Sequence, residues 1–252
     1  MCIQIKMKKL IRKYISILLN YIVDIVFDKI EKRYRPNPLF FYQWYEAHNS
    51  YLKYKDVYKD VFVSQNRKDL RSFCIGKVKE NFSNYNNLLF MELGVCSGNS
   101  IRHFSELIKS NVFQNHSIHG FDSFEGLEEN WNGMIRGRLK GAYATSIPKV
   151  PNNIVLHKGW VQDTLPPFLE EKSNLSKKIG FVHFDMDTYS PTKFALKVLS
   201  PRFVKGTTLL FDDFYGGTGT VSNEHKAYLE IFENIPHKII AFGTYQAVVE
   251  IL

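Results

Sequence analysis

The sequence predicts an α/β protein: an open, mostly parallel sheet flanked by helices, with an antiparallel strand at its C-terminal edge. Three observations carry this reading. From residue 88 to the C-terminus, apolar runs alternate with segments of helical period, the pattern of parallel strands joined by crossover helices. Three of the runs stop at glycine or carboxylate: Leu93 before Gly94 and Gly98, Phe184 before Asp185 and Asp187, and Phe211 before Asp212 and Asp213. The carboxyl ends of such strands line the crevice in which α/β sheets bind ligands. The last two runs are separated by Gly243 and Thr244, which predicts a hairpin and hence one inverted strand.

Taken in order, the N-terminal stretch from Lys6 to Lys32 places Leu10, Ile11, Tyr14, Ile15, Leu18, Leu19 and Ile22 near helical spacing behind a lysine cluster. It reads as an amphipathic helix. No small-residue cleavage site follows it, which disfavours a signal peptide, and Asn20, Asp24 and Asp28 interrupt it, which disfavours a spanning helix. Docking on the core or on a second subunit is preferred to contact of residues 6–32 with an anionic membrane surface. After Pro36 and Pro38 comes an aromatic segment with Tyr45, Tyr51, Tyr54 and Tyr58, a helix that packs on the core or, as the minority reading, covers a sugar-like ligand. The alternation then gives strand 88–93, helix 99–109, strands 117–121 and 153–157, helix 164–171, strand 179–184, helix 191–199, strand 207–211, helix 223–233, and closing strands near 237–242 and 245–251. This divides the chain into a helical extension, 1–75, and an α/β domain, 76–252.

At 252 residues with 44% hydrophobic residues, the chain suits one such domain with appendages. The net charge of +8 is local, because residues 6–35 hold nine Lys or Arg against three acids. No basic stripe with interleaved aromatics runs along the core, so nucleic acid is not an expected partner. The cysteines, Cys2, Cys74 and Cys96, form no ligand-spaced pair, and a reducing cytoplasm is the expected setting.

The chemistry rests on carboxylates. Glu92 ends a strand beside two glycines and can accept hydrogen bonds from an amine-bearing partner. Four acids follow two other strands, and at one sheet edge they repel one another. Either a cation neutralises some of them, or one has a raised pKa and serves as a base.

Five segments in order resemble one family: Glu92-Leu93-Gly94-Val95 with Gly98; Gly120-Phe121-Asp122-Ser123-Phe124-Glu125-Gly126-Leu127; Lys158-Gly159-Trp160-Val161-Gln162-Asp163; His183-Phe184-Asp185-Met186-Asp187-Thr188; and Phe211-Asp212-Asp213-Phe214. Over about residues 88–252 the chain resembles a class I S-adenosylmethionine-dependent methyltransferase with a Rossmann-like sheet, specifically the macrocin O-methyltransferase family, whose members act with a metal on sugar hydroxyls. The resemblance implies that Glu92, Gly94, Val95, Gly98, Asn99 and Ser100 hold the methionine part of the cofactor. Asp122 and Ser123 would hold the ribose, Trp160, Gln162 and Asp163 the adenine, and Asp185 would also lie within reach of the cofactor. It further implies Mg2+ or another divalent cation on Asp185, Asp212 and Asp213, with Asp187 as general base, Asp185 as the other acid able to take that role, and His225 as a weaker catalytic candidate. A small-molecule or sugar acceptor and a homo-oligomer complete the expectation.

Residues 124–146, with Trp131, Arg136, Arg138 and Tyr143, and residues 214–225 are expected to build the acceptor pocket, the first as a closing lid. A nicotinamide or flavin enzyme is disfavoured because Gly94 and Gly98 do not form Gly-x-Gly-x-x-Gly. A methyltransferase for a non-sugar diol or phosphorylated metabolite, and a non-catalytic binding protein, are the alternatives kept.

Overall fold

The computed structural model describes residues 38–84, 86–131, 138–216 and 223–252. The basic helix expected over 6–32, Arg136 and residues 217–222 lie outside the described residues. Helix α1 (Pro38–Tyr54) and a 3-10 turn (Val57–Lys59) lead to a two-residue strand, β1 (Phe62–Val63), and α2 (Arg67–Asn81). The alternation follows: β2 (Leu88–Leu93), α3 (Asn99–Lys109), β3 (Ile118–Asp122), β4 (Ile154–Lys158), α4 (Val161–Glu170), β5 (Lys178–Phe184), α5 (Tyr189–Leu199), β6 (Thr208–Phe211), α6 (Glu224–Ile231), β7 (His237–Phe242) and β8 (Ala247–Ile251).

The eight strands lie in the order β1-β7-β8-β6-β5-β2-β3-β4. Strands β4, β3, β2, β5 and β6, in that spatial order, pair in parallel, and the predicted hairpin forms with β8 antiparallel to both β6 and β7. Strand β8 slots between β6 and β7, and β1, which the alternation does not reveal, pairs outside β7.

Two apolar layers sandwich the sheet. Along β2, Leu89, Met91 and Leu93 join the cluster under α4, α5 and α6, whereas Leu88 and Phe90 join the cluster under α2 and α3. That alternation, with both sets buried, explains why the strand reads as an unbroken apolar run. Helix α2 is capped by Asn66 Oδ1, which accepts from Lys68 N at 3.0 Å. It buries Leu70, Cys74, Ile75 and Val78, so the boundary expected at residue 76 falls inside a helix of the core. Residues from Trp44 onward cluster as one compact unit.

Backbone pairing continues past the strand ends and draws the loops together. Gly94 N donates to Phe121 O at 2.9 Å, Asp185 N to Leu93 O at 2.9 Å, and Asp212 N to Phe184 O at 3.0 Å. Gly94 has φ +91°, and a Cβ there would stand 1.8 Å from the Asp185 carbonyl oxygen. The first glycine is therefore required by the neighbouring strand's loop.

On the other half of the sheet, His119 of β3 and His157 of β4 approach to 3.1 Å between ring nitrogens. Burial, with help from His157, pushes the His119 pKa down to about 4 from 6.5.

Gly94→Ala should cost at least about 2 kcal/mol of stability, because the Asp185 backbone carbonyl cannot yield to a side chain; a variant melting like wild type would contradict the packing described. His119 is neutral in the folded state, so the stability it confers is complete above pH 6.5 and declines as pH falls toward 4, by about 2–3 kcal/mol. Urea midpoints for wild type and His119→Gln between pH 7 and pH 4 should converge as the acid is approached; parallel curves would rule this out.

Candidate active site

At the carboxyl ends of β2, β3, β4 and β5 lies a pocket of about 260 Å³, lined by Gly94 and Cys96, Asp122 and Ser123, Trp160, Tyr143 of the lid, and Asp185 and Asp187. Asp122 organises its glycine side. One carboxylate oxygen accepts from Val95 N and Cys96 N at 2.8 and 2.7 Å, and the other accepts from Phe124 N at 2.7 Å. A carboxylate has about four accepting positions. Three are used by the loop, and capacity remains for a ligand hydroxyl.

Several residues expected on the ligand lie elsewhere. Glu92 is fully buried and absent from the pocket wall; its oxygens accept from Ser100 Oγ at 2.9 Å and meet His183 Nδ1 at 3.2 Å. Glu92 and Ser100 therefore brace the loop from beneath, because a strand-end side chain facing the helix layer is covered by α3. Val95 belongs to the core cluster, and Gly98, with φ +79°, caps α3. Asn99 begins that helix and does not line the pocket. Gln162 Nε2 donates to Glu128 of the lid at 2.6 Å, and neither it nor Asp163, in the first turn of α4, reaches the wall.

The acids do converge. Asp185 and Asp187 open on the pocket, with Asp212 and Asp213 behind. A fifth carboxylate, Glu224 at the start of α6, is fully buried and accepts from Met186 N at 3.0 Å and Asp213 N at 3.3 Å, which clamps the two acid loops together. Burial, then its neighbours, Asp212 for Asp185 and Asp185 for Asp187, raises both carboxyls well above the usual range. Asp187 shares a hydrogen bond with Asp213, which burial and Asp212 push up to about 6. Asp187 also has φ +59°, a strained backbone for a residue with a side chain, although Asp tolerates it better than most.

Asp212 is the exception. Burial would raise its pKa, but His183, Arg67 at 3.3 Å and a short hydrogen bond from Gln246 hold it down. His183 is itself fully buried, with Nε2 3.6 Å from Asp212 Oδ1. Burial alone would lower its pKa; the carboxylates of Asp212 and Glu92 push it up to about 10. Ligand atoms of His183, Asp185 and Asp212 lie within 4.8 Å of one another, so these three, with Asp213 and Asp187 adjoining, could hold a metal ion. The carboxylate oxygens of this group are hard donors of the kind that suit magnesium, while the His183 proton is held by Asp212 and Glu92.

His225 is not in the site. It is buried, bonded to Tyr54 Oη at 2.6 Å and packed against Phe214 and Tyr228, and burial pushes its pKa down to about 4. The aromatic segment that contributes Tyr54 encloses it, so its place near a helix start does not expose it.

The lid is tied down on both flanks. Trp131 and Arg138 exchange backbone hydrogen bonds at 2.8 and 2.7 Å, and Glu129 accepts from Ser190 N and Ser190 Oγ at 2.7 and 2.8 Å, capping α5 just beyond Asp187. Among the described residues no helix is long and apolar enough to cross a membrane.

Residues 91–214 match the family model of a methyltransferase domain. No curated protein matches the sequence. Among solved structures, the calicheamicin methyltransferase CalS11 aligns with a TM-score of 0.55 at 21% identity, over 74% of this chain and 80% of its own. The O-methyltransferase NovP gives a TM-score of 0.56 at 18% identity, over 73% and 78%. An apo structure of CalS11, described as a TDP-rhamnose 3'-O-methyltransferase of calicheamicin biosynthesis, gives 0.50 at 21%, over 74% and 81%. At these identities the likeness is one of fold. The matched segment runs from the strand beneath the glycine loop to just past the acids after β6, so the part of the chain that carries the pocket is the part that is similar to a methyltransferase domain.

Proposed function

We propose that the chain transfers a methyl group from S-adenosylmethionine to a hydroxyl of a sugar or sugar-containing small molecule, with a divalent cation held among the acids. The observation that carries this reading is the crowding of Asp185, Asp187, Asp212, Asp213 and Glu224 at the wall of the cofactor pocket. A methyltransferase acting on a stronger nucleophile has no need of such a cluster. CalS11 and NovP, both described as O-methyltransferases, favour the same acceptor atom.

A sugar hydroxyl is a poor nucleophile at neutral pH, so it must be positioned in line with the methyl group and relieved of its proton. When bound, the cofactor supplies the methyl group as a sulfonium and the cation supplies Lewis acidity that lowers the pKa of a nearby hydroxyl. Asp185, Asp212 and Asp213 would hold the cation, with Glu224 fixing the loops that carry the first and the last. Asp187 takes the acceptor's proton on its carboxylate, drawing on the position that its strained backbone fixes at the pocket wall. Trp160 offers its ring to the adenine and Asp122 its remaining accepting capacity to the ribose. The lid excludes water once Glu128 and Glu129 are engaged.

Calorimetric titration with S-adenosylhomocysteine should show binding that Asp122→Ala weakens by at least about tenfold, equivalent to ~1.4 kcal/mol; unchanged affinity would refute the ribose role. Against a sugar acceptor, Asp187→Asn should retain cofactor affinity and lose about 10²–10⁴ in turnover. Chelator should abolish turnover in wild type, and excess magnesium should partly restore Asp212→Asn. Full turnover in chelator would contradict the role of the cation, and an active Asp187→Asn enzyme that of the base.

A further inference from the structure

A second cleft, of about 360 Å³, opens at the same edge of the sheet, among Tyr51, Tyr58, Gln65, Tyr215, Thr244 and Tyr245. Its floor is fixed. Tyr215 is buried, with its hydroxyl donating to Gly243 O at 2.7 Å, and Tyr58 stacks on Phe242 at 5.2 Å. Its rim is open, because Tyr51 and Tyr245 are 41% and 43% exposed, and Tyr51 lies nearly parallel to Tyr215 at 6.4 Å.

The cleft is joined to the acid cluster by three separate pieces of chain. Tyr215 lies two residues beyond Asp213, Tyr245 directly precedes Gln246, and Gln65 lies two residues before Arg67; Gln246 and Arg67 are the partners of Asp212. The backbone N–H groups of Phe214 and Tyr215 both donate to Tyr245 O, at 2.7 and 3.2 Å, which locks two of these pieces together. The cleft and the acid cluster thus sit on the same three pieces of chain, at the same edge of the sheet.

The lining chemistry selects the ligand. Apart from His48, no acidic or basic side chain lines the cleft among the described residues, and a single imidazole without Lys or Arg is a poor match for a phosphate or nucleotide. Aromatic faces bordered by the amide of Gln65, the hydroxyl of Thr244 and phenolic groups suit a neutral ring with apolar faces and a polar perimeter. We infer that this cleft is a second acceptor subsite for a neutral pyranose ring beyond the one that carries the reacting hydroxyl, so that the preferred acceptor is a glycoside of more than one ring. The inference rests on the proposed sugar O-methylation.

Saturation-transfer NMR on the full chain, with and without S-adenosylhomocysteine, tests it with the methyl pyranosides of glucose, mannose, galactose and rhamnose as probes and phenol as the aromatic control. At least one pyranoside should receive saturation, and Tyr51→Ala and Tyr245→Ala should each weaken its binding by about tenfold while S-adenosylhomocysteine affinity is unchanged. Both rings are exposed, and retained cofactor binding reports that the variants are folded. The inference is overturned if no pyranoside binds the wild type, if binding persists undiminished in both variants, or if phenol alone binds. Failure of S-adenosylhomocysteine to bind the wild type would instead strike the methyltransferase reading, with the cofactor-free pyranoside data still deciding the cleft.

Discussion

Five carboxylates, four at the ends of the adjacent strands β5 and β6 and one at the start of α6, impose the constraint around which the rest of this structure is arranged. Two unit charges about 4 Å apart repel by about 4 kcal/mol at an effective dielectric constant of ~20, equivalent to roughly three pKa units. With Asp185, Asp187, Asp212, Asp213 and Glu224 clustered and wholly or half buried, they cannot all be ionised without a counter-charge. The protein divides the burden. Asp212 is kept charged by Arg67, Gln246 and the buried His183, which Glu92 supports from behind, while Asp187 and Asp213 share a hydrogen bond. Such a cluster is costly to fold, and its position beside the pocket of Gly94, Asp122 and Trp160 is what ties it to chemistry.

The fold supplies the precision. Strand β2 presents a glycine where β5 needs room for a carbonyl, and Asp122 gathers three backbone N–H groups of two loops. These are backbone contacts within and just beyond the sheet, and they fix the glycine side of the pocket wall. The lid is held differently. Its anchors, the part-buried hydrogen bond of Glu128 with Gln162 and the exposed one of Glu129 with Ser190, are worth about 0.5–3 kcal/mol each.

Much of this was legible in the sequence where one residue type answers one local demand. The unbroken apolar runs announced strands buried on both faces, and the acids ending two of them marked the sheet edge that carries the site. What was not legible depended on contacts distant in sequence. Glu92 reads as a ligand-facing acid, but α3 covers it, and Ser100 is used up by holding it. Glu224 has no local signal, since its partners are backbone amides of Met186 and Asp213. His183 sits inside a strand, and only the register of β5 against β2 shows that it lies opposite Glu92. Helix α2 could have been found, because Leu70, Cys74, Ile75 and Val78 keep helical spacing behind the Asn66 cap. Strand β1 is two residues long and is defined by its pairing with β7 alone.

If the acids are held together by shared protons until a cation replaces them, then cation binding must release protons. Titrating the full chain with Mg2+ or Mn2+ by calorimetry at pH 7, in buffers of different ionisation enthalpy, measures that release directly. The account predicts about one proton or more set free per ion bound, with the release abolished in Asp187→Asn. Saturable binding with no proton release, or no binding at all, would contradict it.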